Sequence, residues 1–323
     1  MLEKRTQNIS IPFFSVVIPI YNKGPHIQRS ISSVLNQTFQ NFELILVNDA
    51  STDNSLTEIQ KFTDERIRLF QRTEPGPGGY AARNLGIEKA KGKWVAFLDA
   101  DDEWYPNHLE KMHELTTNYP EIYLMGCGWQ TKKEGIKKEN SYYIKNKERG
   151  HRIINLESYL KATSRYDLPV CTSVACIKKS SPVINSLFPT DEKIHRGGDL
   201  YAWLKMLCFH KQMAWSNHVG AIYHLESVNM VTKNATASIE LYSKEYFLEL
   251  SKNLSNIERK LLLKYFNSRL LRSHIASRSV NIKPLSIKND IFFDKIFLNG
   301  LKTYLVTLIP NFAFKWIRGF KRK

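Results

Sequence analysis

Three carboxylates, Asp99, Asp101 and Asp102, stand at the end of the apolar run Trp94-Val-Ala-Phe-Leu98. Carboxylates repel one another and resist burial, so such a cluster at a strand end calls for a partner. A hard divalent cation such as Mg²⁺ or Mn²⁺, which takes oxygen ligands and shares them with phosphates, suits these residue types. An acidic turn leading into a capped helix is the competing explanation, because Asp102 or Asn107 can cap a helix that starts after Pro106. Asn22, Asp49 and the 99–102 cluster share one further property. Each comes directly after an apolar run.

Those runs belong to an alternating pattern. Residues 13–20 and 42–47 are dense apolar stretches of the kind buried on both faces of a sheet. Between them Ile27, Ile31, Val34 and Leu35 recur at helical spacing after Gly24-Pro25. Residues 49–55 supply turn and cap types before a short helix; 67–70 predicts a third strand, 79–91 a helix and 94–98 a fourth strand. Strands separated by helices imply βαβ units and a parallel sheet. In such sheets ligands bind beyond the carboxyl ends of the strands, where Asn22, Asp49 and Asp99 to Asp102 are all expected to meet. Farther on, the pattern predicts a helix from Pro106 to about Tyr119 and a strand over 121–126. An exposed hairpin or loop insertion is expected over 131–152, a strand over 168–177, and helices over 199–209 and 240–273.

The 323 residues carry 47 Lys and Arg against 31 Asp and Glu, a formal charge of +16. That balance favours anionic partners: nucleic acid, an anionic membrane or a phosphorylated substrate. No helix-turn-helix, zinc-finger or aromatic-basic signature accompanies it, so nucleic acid is set aside. The cysteines, Cys127, Cys171, Cys176 and Cys208, form no Cys-x-x-Cys pair and read as reduced thiols of a cytosolic protein. Neither a signal peptide nor a transmembrane helix is expected, since no apolar core succeeds the basic residues before Pro12 and no run reaches about 18 apolar residues.

Four elements in order, Val16-Val-Ile-Pro-Ile-Tyr21-Asn22, Val47-Asn-Asp49-Ala-Ser51-Thr-Asp53, Ala82-Arg83-Asn84-x-Gly86 and Phe97-Leu-Asp99-Ala-Asp101-Asp102, together resemble the family 2 glycosyltransferases. The resemblance is strong over residues 14–105 and weaker to about 230. It implies an α/β fold of GT-A type, a Rossmann-like, mainly parallel central sheet flanked by helices, here with a helical, basic C-terminal extension. It also implies inverting transfer of a sugar from a nucleotide-diphosphate donor, with Mn²⁺ or Mg²⁺ as cofactor. The domains expected are an N-terminal extension (1–12), a catalytic domain (13–235, with a nucleotide-sugar half to 105 and an acceptor half from 106) and a helical region (236–323).

The resemblance assigns roles residue by residue. Pro19, Tyr21, Asn22, Asp49, Arg83, Asp99 and Ala100 fall to the nucleotide-sugar. Tyr21 lies beside the base, Asp49 accepts from base or ribose, Arg83 pairs with base or diphosphate, and Asp99 faces the ribose. Asp101 falls to the metal, and Asp102 to support of the loop. The base is the aspartate of a Glu-Asp pair opening a helix; the matching segment, His195-Arg-Gly-Gly198-Asp199, keeps Asp199 but has Gly198 in place of the glutamate. A helix cap is the structural alternative for Asp199. Ile222-Tyr-His224 matches a later histidine segment whose His approaches the metal or diphosphate, and 227–233 is a candidate lid.

The expected enzyme is a hexosyl- or N-acetylhexosaminyl-transferase, with a UDP-sugar as donor and a saccharide or lipid-linked saccharide as acceptor. It would serve lipopolysaccharide (O-antigen) or capsule synthesis. Two alternatives stay open: a sugar-nucleotide nucleotidyltransferase, and a non-catalytic basic membrane binder that kept the fold. From about 281 onward apolar residues such as Phe292, Phe293, Phe297, Trp316 and Phe320 alternate with Lys and Arg. This pattern suits an amphipathic tail on an anionic membrane, and hence a cytoplasmic protein peripheral to the inner membrane face, or else a C-terminal helix packed on the domain.

Overall fold

The computed structural model describes residues 11–230, 238–279, 291 and 304–309. Its first half is a βαβ series: β1 (Phe14–Ile20), α1 (Gly24–Leu35), β2 (Phe42–Asn48), α2 (Ser55–Ile59), β3 (Ile67–Gln71), α3 (Tyr80–Lys89) and β4 (Trp94–Phe97). β1 pairs in parallel with β2 and with β4, and β2 with β3. Every residue of β1 and β2 is buried, as continuous apolar runs between two layers of helices require. α1 turns Ile27, Ile31 and Val34 onto that sheet. α3 lies closer still, because a Cβ at Gly86 would come within 2.3 Å of Val17 Cγ1.

The second half runs β5 (Glu103–Trp104), α4 (His108–Asn118), β6 (Leu124–Lys133), β7 (Ile136–Glu139), α5 (Ser141–Asn146), β8 (Arg152–Asn155), α6 (Leu156–Thr163), β9 (Cys176–Lys178), α7 (Gly198–His210) and β10 (Gln212–His224). One sheet joins both halves in the order β3-β2-β1-β4-β9-β6-β10-β5, with β7 beside β6 and β8 beside β10. β9 runs antiparallel between β4 and β6, whereas β10 is parallel to β6. The GT-A architecture expected from the sequence is the one observed. After β10 come α8 (Lys244–Ser251) and α9 (Asn256–Ser279). Leu250, Leu262, Phe266 and Leu270 bury themselves in the same core as β1 and β2.

The local expectations held least well after residue 120. The strand expected over 121–126 begins at Leu124 and continues to Lys133. The segment 131–152 holds the β6–β7 hairpin but also α5, whose Tyr142 packs edge-on to Trp215. Of the strand expected over 168–177 only Cys176 and Ile177 lie in a strand, β9 (Cys176–Lys178), preceded by a 3₁₀ turn at Thr172–Val174. The helix expected over 240–273 is two helices. The four cysteines are free, and no helix among the described residues is long and apolar enough to cross a membrane. The amphipathic tail lies almost entirely outside the described residues.

Candidate active site

A cleft of about 990 Å³ opens at the carboxyl ends of β1, β2 and β4. Pro19, Tyr21, Asn22, Asp49, Arg83, Asp99, Ala100, Asp101 and Asp199 all line it; His224 does not. The sheet therefore gathers the strand-end residues, and α7 brings Asp199 to face them.

At the β1 end, Tyr21 is 43% exposed, its ring open to the cleft. Asn22 adopts φ 51°, a left-handed conformation that asparagine tolerates. Its Oδ1 accepts from Thr52 N at 2.8 Å and from Asp53 N at 3.3 Å, locking the β1 loop to the β2 loop. Asp49 is buried, paired to the Arg72 guanidinium and accepting from Gly76 N at 3.2 Å. Burial raises its pKa, against the pull of Gly76 and Arg72. Arg83 enters from α3, donating to Asp99 Oδ1 at 2.5 Å and to Gly78 O at 2.8 Å.

The acidic loop separates its three members. Asp99 is held by Arg83, and burial, with Asp101 and Asp199 nearby, raises its pKa. Asp102 turns away from the cleft, accepting from Ser173 Oγ at 2.5 Å and from His224 N at 3.1 Å. Burial and then the charges of Asp101 and Asp99 push it well above the usual carboxylate range. Asp101 meets the Lys23 ammonium at 2.6 Å. That ammonium also donates to Val228 O at 2.8 Å, so one lysine ties the acidic loop to the segment after β10. Val228 and Asn229 of the candidate lid thus lie against the β1 loop; 231–233 fall outside the described residues.

Asp199 sits in the first turn of α7, whose N-cap is Gly197, and Thr172 Oγ1 donates to its Oδ2 at 3.3 Å. Asp199 is therefore not the helix cap. At Gly198, where the resemblance implies a glutamate, an added Cβ would lie 2.7 Å from Tyr80 Cζ, and Gly198 N donates to Tyr80 Oη at 2.9 Å. The Tyr80 ring fills the space that a glutamate would need. His224 Nε2 pairs with Glu103 Oε1 at 2.9 Å, and burial, then Arg29, lowers its pKa.

Sequence reasoning missed Arg72, Lys23, Tyr80, Thr172 and Ser173. Each acts through a partner distant in the chain, which no local pattern announces. The Pro75-Gly-Pro-Gly-Gly79 turn beside Arg72 was the one available cue.

Cations fit the acidic loop. Its donors are carboxylate oxygens, of which Asp101 and Asp99 line the cleft, each already paired with one cation, Lys23 and Arg83.

A family model for glycosyl transferase family 2 matches residues 15–177. An uncharacterized glycosyltransferase of Rickettsia bellii (strain RML369-C) is 50% identical over 98 residues, 30% of this chain and 14% of that protein. The Escherichia coli UDP-Glc:alpha-D-GlcNAc-diphosphoundecaprenol beta-1,3-glucosyltransferase WfgD is 44% identical over 96 residues, 30% of this chain and 38% of that protein. The chain thus spans less than half the length of these curated relatives. Among solved structures, S. aureus TarS 1-349 in complex with UDP-GlcNAc superposes with a TM-score of 0.70 at 17% identity, covering 86% of this chain and 78% of that one. At that identity the likeness speaks for the fold.

Proposed function

The chain belongs to glycosyl transferase family 2, and from that premise we propose that it is an inverting glycosyltransferase. It transfers a hexosyl or N-acetylhexosaminyl unit from a nucleotide-diphosphate sugar, in the first place a UDP-sugar, to a saccharide or lipid-linked saccharide in surface-polysaccharide synthesis. The observation that carries this reading is the convergence of Tyr21, Asp49, Arg83, Asp99, Asp101 and Asp199 on one cleft. The choice of UDP and of a lipid-linked acceptor draws support from the name of WfgD, a UDP-Glc enzyme with a diphosphoundecaprenol acceptor. An acceptor of that kind would place the work at the inner membrane face.

In this reading the base lies against Tyr21, Asp49 orients the base or ribose with Arg72 behind it, and Asp99 takes the ribose. Arg83, anchored on Asp99, presents its remaining donors to the diphosphate. The acceptor oxygen attacks the anomeric carbon opposite the diphosphate, and the sugar–oxygen bond breaks with its electron pair leaving on the nucleoside diphosphate. Asp199 takes the hydroxyl proton. The partly exposed Asp199 can reach an incoming hydroxyl, and among the described residues Thr172 fixes one of its oxygens and leaves the other free. Asp101 offers oxygens for Mn²⁺ or Mg²⁺, and His224 stands as a further candidate once freed from Glu103. When bound, such an ion neutralises charge growing on the departing diphosphate.

The test is donor turnover. The protein is incubated with a panel of nucleotide sugars and Mn²⁺, and free nucleoside diphosphate is measured. Asp199→Asn is expected to lower turnover by about 10²–10⁴-fold while donor binding persists. Release of pyrophosphate would point to a nucleotidyltransferase, and absence of both turnover and donor binding would leave a non-catalytic protein.

A further inference from the structure

Away from the cleft, three soft or borderline metal ligands converge between α4, β6 and β10. His108 Nδ1, Cys127 Sγ and a ring nitrogen of His218 all lie within 4.8 Å of one another, and none of the three residues lines the cleft. His108 and Cys127 are fully buried. We propose that His108, Cys127 and His218 form a zinc site, with a water completing four-coordination, that staples β10 to α4 and β6.

The spacing suits the ion. For Zn–N near 2.0–2.1 Å and Zn–S near 2.3 Å, a tetrahedron puts two nitrogens about 3.4 Å apart and sulfur about 3.6 Å from nitrogen. His108 Nδ1 and His218 Nε2 are separated by 3.3 Å, and Cys127 Sγ lies 3.9 Å from His108 Nδ1. A thiolate with two imidazoles selects zinc over the magnesium or manganese suited to the acidic loop.

The backbone is arranged to permit this meeting. β10 pairs Ser216 with Cys127 and Val219 with Gly128, so Asn217 and His218 form an irregularity directly beside the thiol. Ser216 Oγ holds His218 Nδ1 at 2.8 Å, which orients the ring with Nε2 toward His108. At Gly220 a side chain is impossible: its Cβ would fall 2.3 Å from His108 Nδ1 and 2.6 Å from Cys127 Sγ. His108 Nε2 is buried without a hydrogen-bond partner. With Nδ1 taken by the ion, that Nε2 would carry the ring proton and stay unpaired, a cost the metal bonds must outweigh.

The experiment equilibrates the full chain with ZnCl2 against a competing chromophoric chelator, and in parallel with CoCl2. About one zinc per chain, a rise in melting temperature and a thiolate-to-cobalt charge-transfer absorption are expected. Cys127→Ser and His218→Gln, each checked for native circular dichroism, should lose the metal, whereas Asp101→Ala should keep it. The cobalt spectrum of the unaltered chain needs no variant. Failure to bind zinc, or binding unchanged in the Cys127→Ser/His218→Gln double variant, overturns the proposal and leaves a histidine pair beside a buried thiol.

Discussion

Replacing Gly198 by alanine tests whether Tyr80 leaves room for a side chain at this position. The new methyl would lie 2.7 Å from Tyr80 Cζ and 2.9 Å from Pro189 Cγ, inside the roughly 3.5–4.0 Å optimum for carbon pairs. Tyr80 is 3% exposed and its ring stacks with Phe188 at 6.3 Å, so it has little room to swing clear. Overpacking of this kind costs about 1–3 kcal/mol. Asp199 comes next in the same turn, and displacement of a reacting group by about 1 Å can cost about 10²-fold in rate. Gly198→Ala is therefore expected to lower both the urea midpoint and nucleoside diphosphate release, and Gly198→Glu to do more. A double-mutant cycle with Tyr80→Ala isolates the clash. The combined variant should be more stable than the sum of the single losses predicts, by about 1–3 kcal/mol. If Gly198→Ala matches the parent within about 0.5 kcal/mol and turns over at the parental rate, Tyr80 is not what excludes a side chain at 198.

Lys23→Met removes the ammonium 2.6 Å from Asp101 Oδ2. If a metal uses the same oxygens, half-saturation by Mn²⁺ should fall by roughly 10- to 150-fold, the worth of a charged hydrogen bond, and an unchanged metal titration would show that Lys23 does not compete. Asp102 has a folded pKa well above the ordinary aspartate value of 3.8, raised by burial and by Asp101 and Asp99. The native state thus holds this proton after the unfolded chain has released it, so Asp102 withdraws stability as pH rises from about 4 through the folded pKa. Asp102→Asn should flatten that fall in urea titrations with EDTA present, and identical pH profiles would refute it. Arg72→Ala strips the guanidinium from Asp49, which is 1% exposed, and leaves only Gly76 N. A loss of about 1–3 kcal/mol in stability and weaker UDP binding by calorimetry are expected; unaltered UDP affinity would separate Asp49 from the nucleotide.

The first half of the fold was readable because β1, β2 and β4 are densely apolar, with Ser15 and Glu43 the interruptions inside the runs, and the polar loops around them are short. Their ends announced Asn22, Asp49 and the acidic loop. β10 passed unseen, since Ser216, Asn217 and His218 interrupt its apolar residues and two register shifts destroy any period of two. The 168–177 run was apolar enough to suggest a strand, yet it bends at Thr172–Val174 to deliver Thr172 to Asp199 and Ser173 to Asp102. Lys23 and Asp101 lie 78 positions apart. Charge pairs over such separations are set by topology, and topology is what a single chain's pattern conveys least. The Gly198 departure was visible as an anomaly, but its cause required the Tyr80 ring in place.

The order in which the ribosome releases the chain bears on when the pocket exists. The block β3-β2-β1-β4 draws on the first hundred residues alone. Among the described residues β10 is the sheet partner of both β5 and β8, so these pairings wait for residues 212–224 to emerge. Asp102 accepts from His224 N at the far end of that strand, and Lys23 meets Val228 O just beyond it. A nascent chain short of this point therefore lacks both of these ties on the acidic loop. The acidic loop thus reaches its final geometry only late in synthesis.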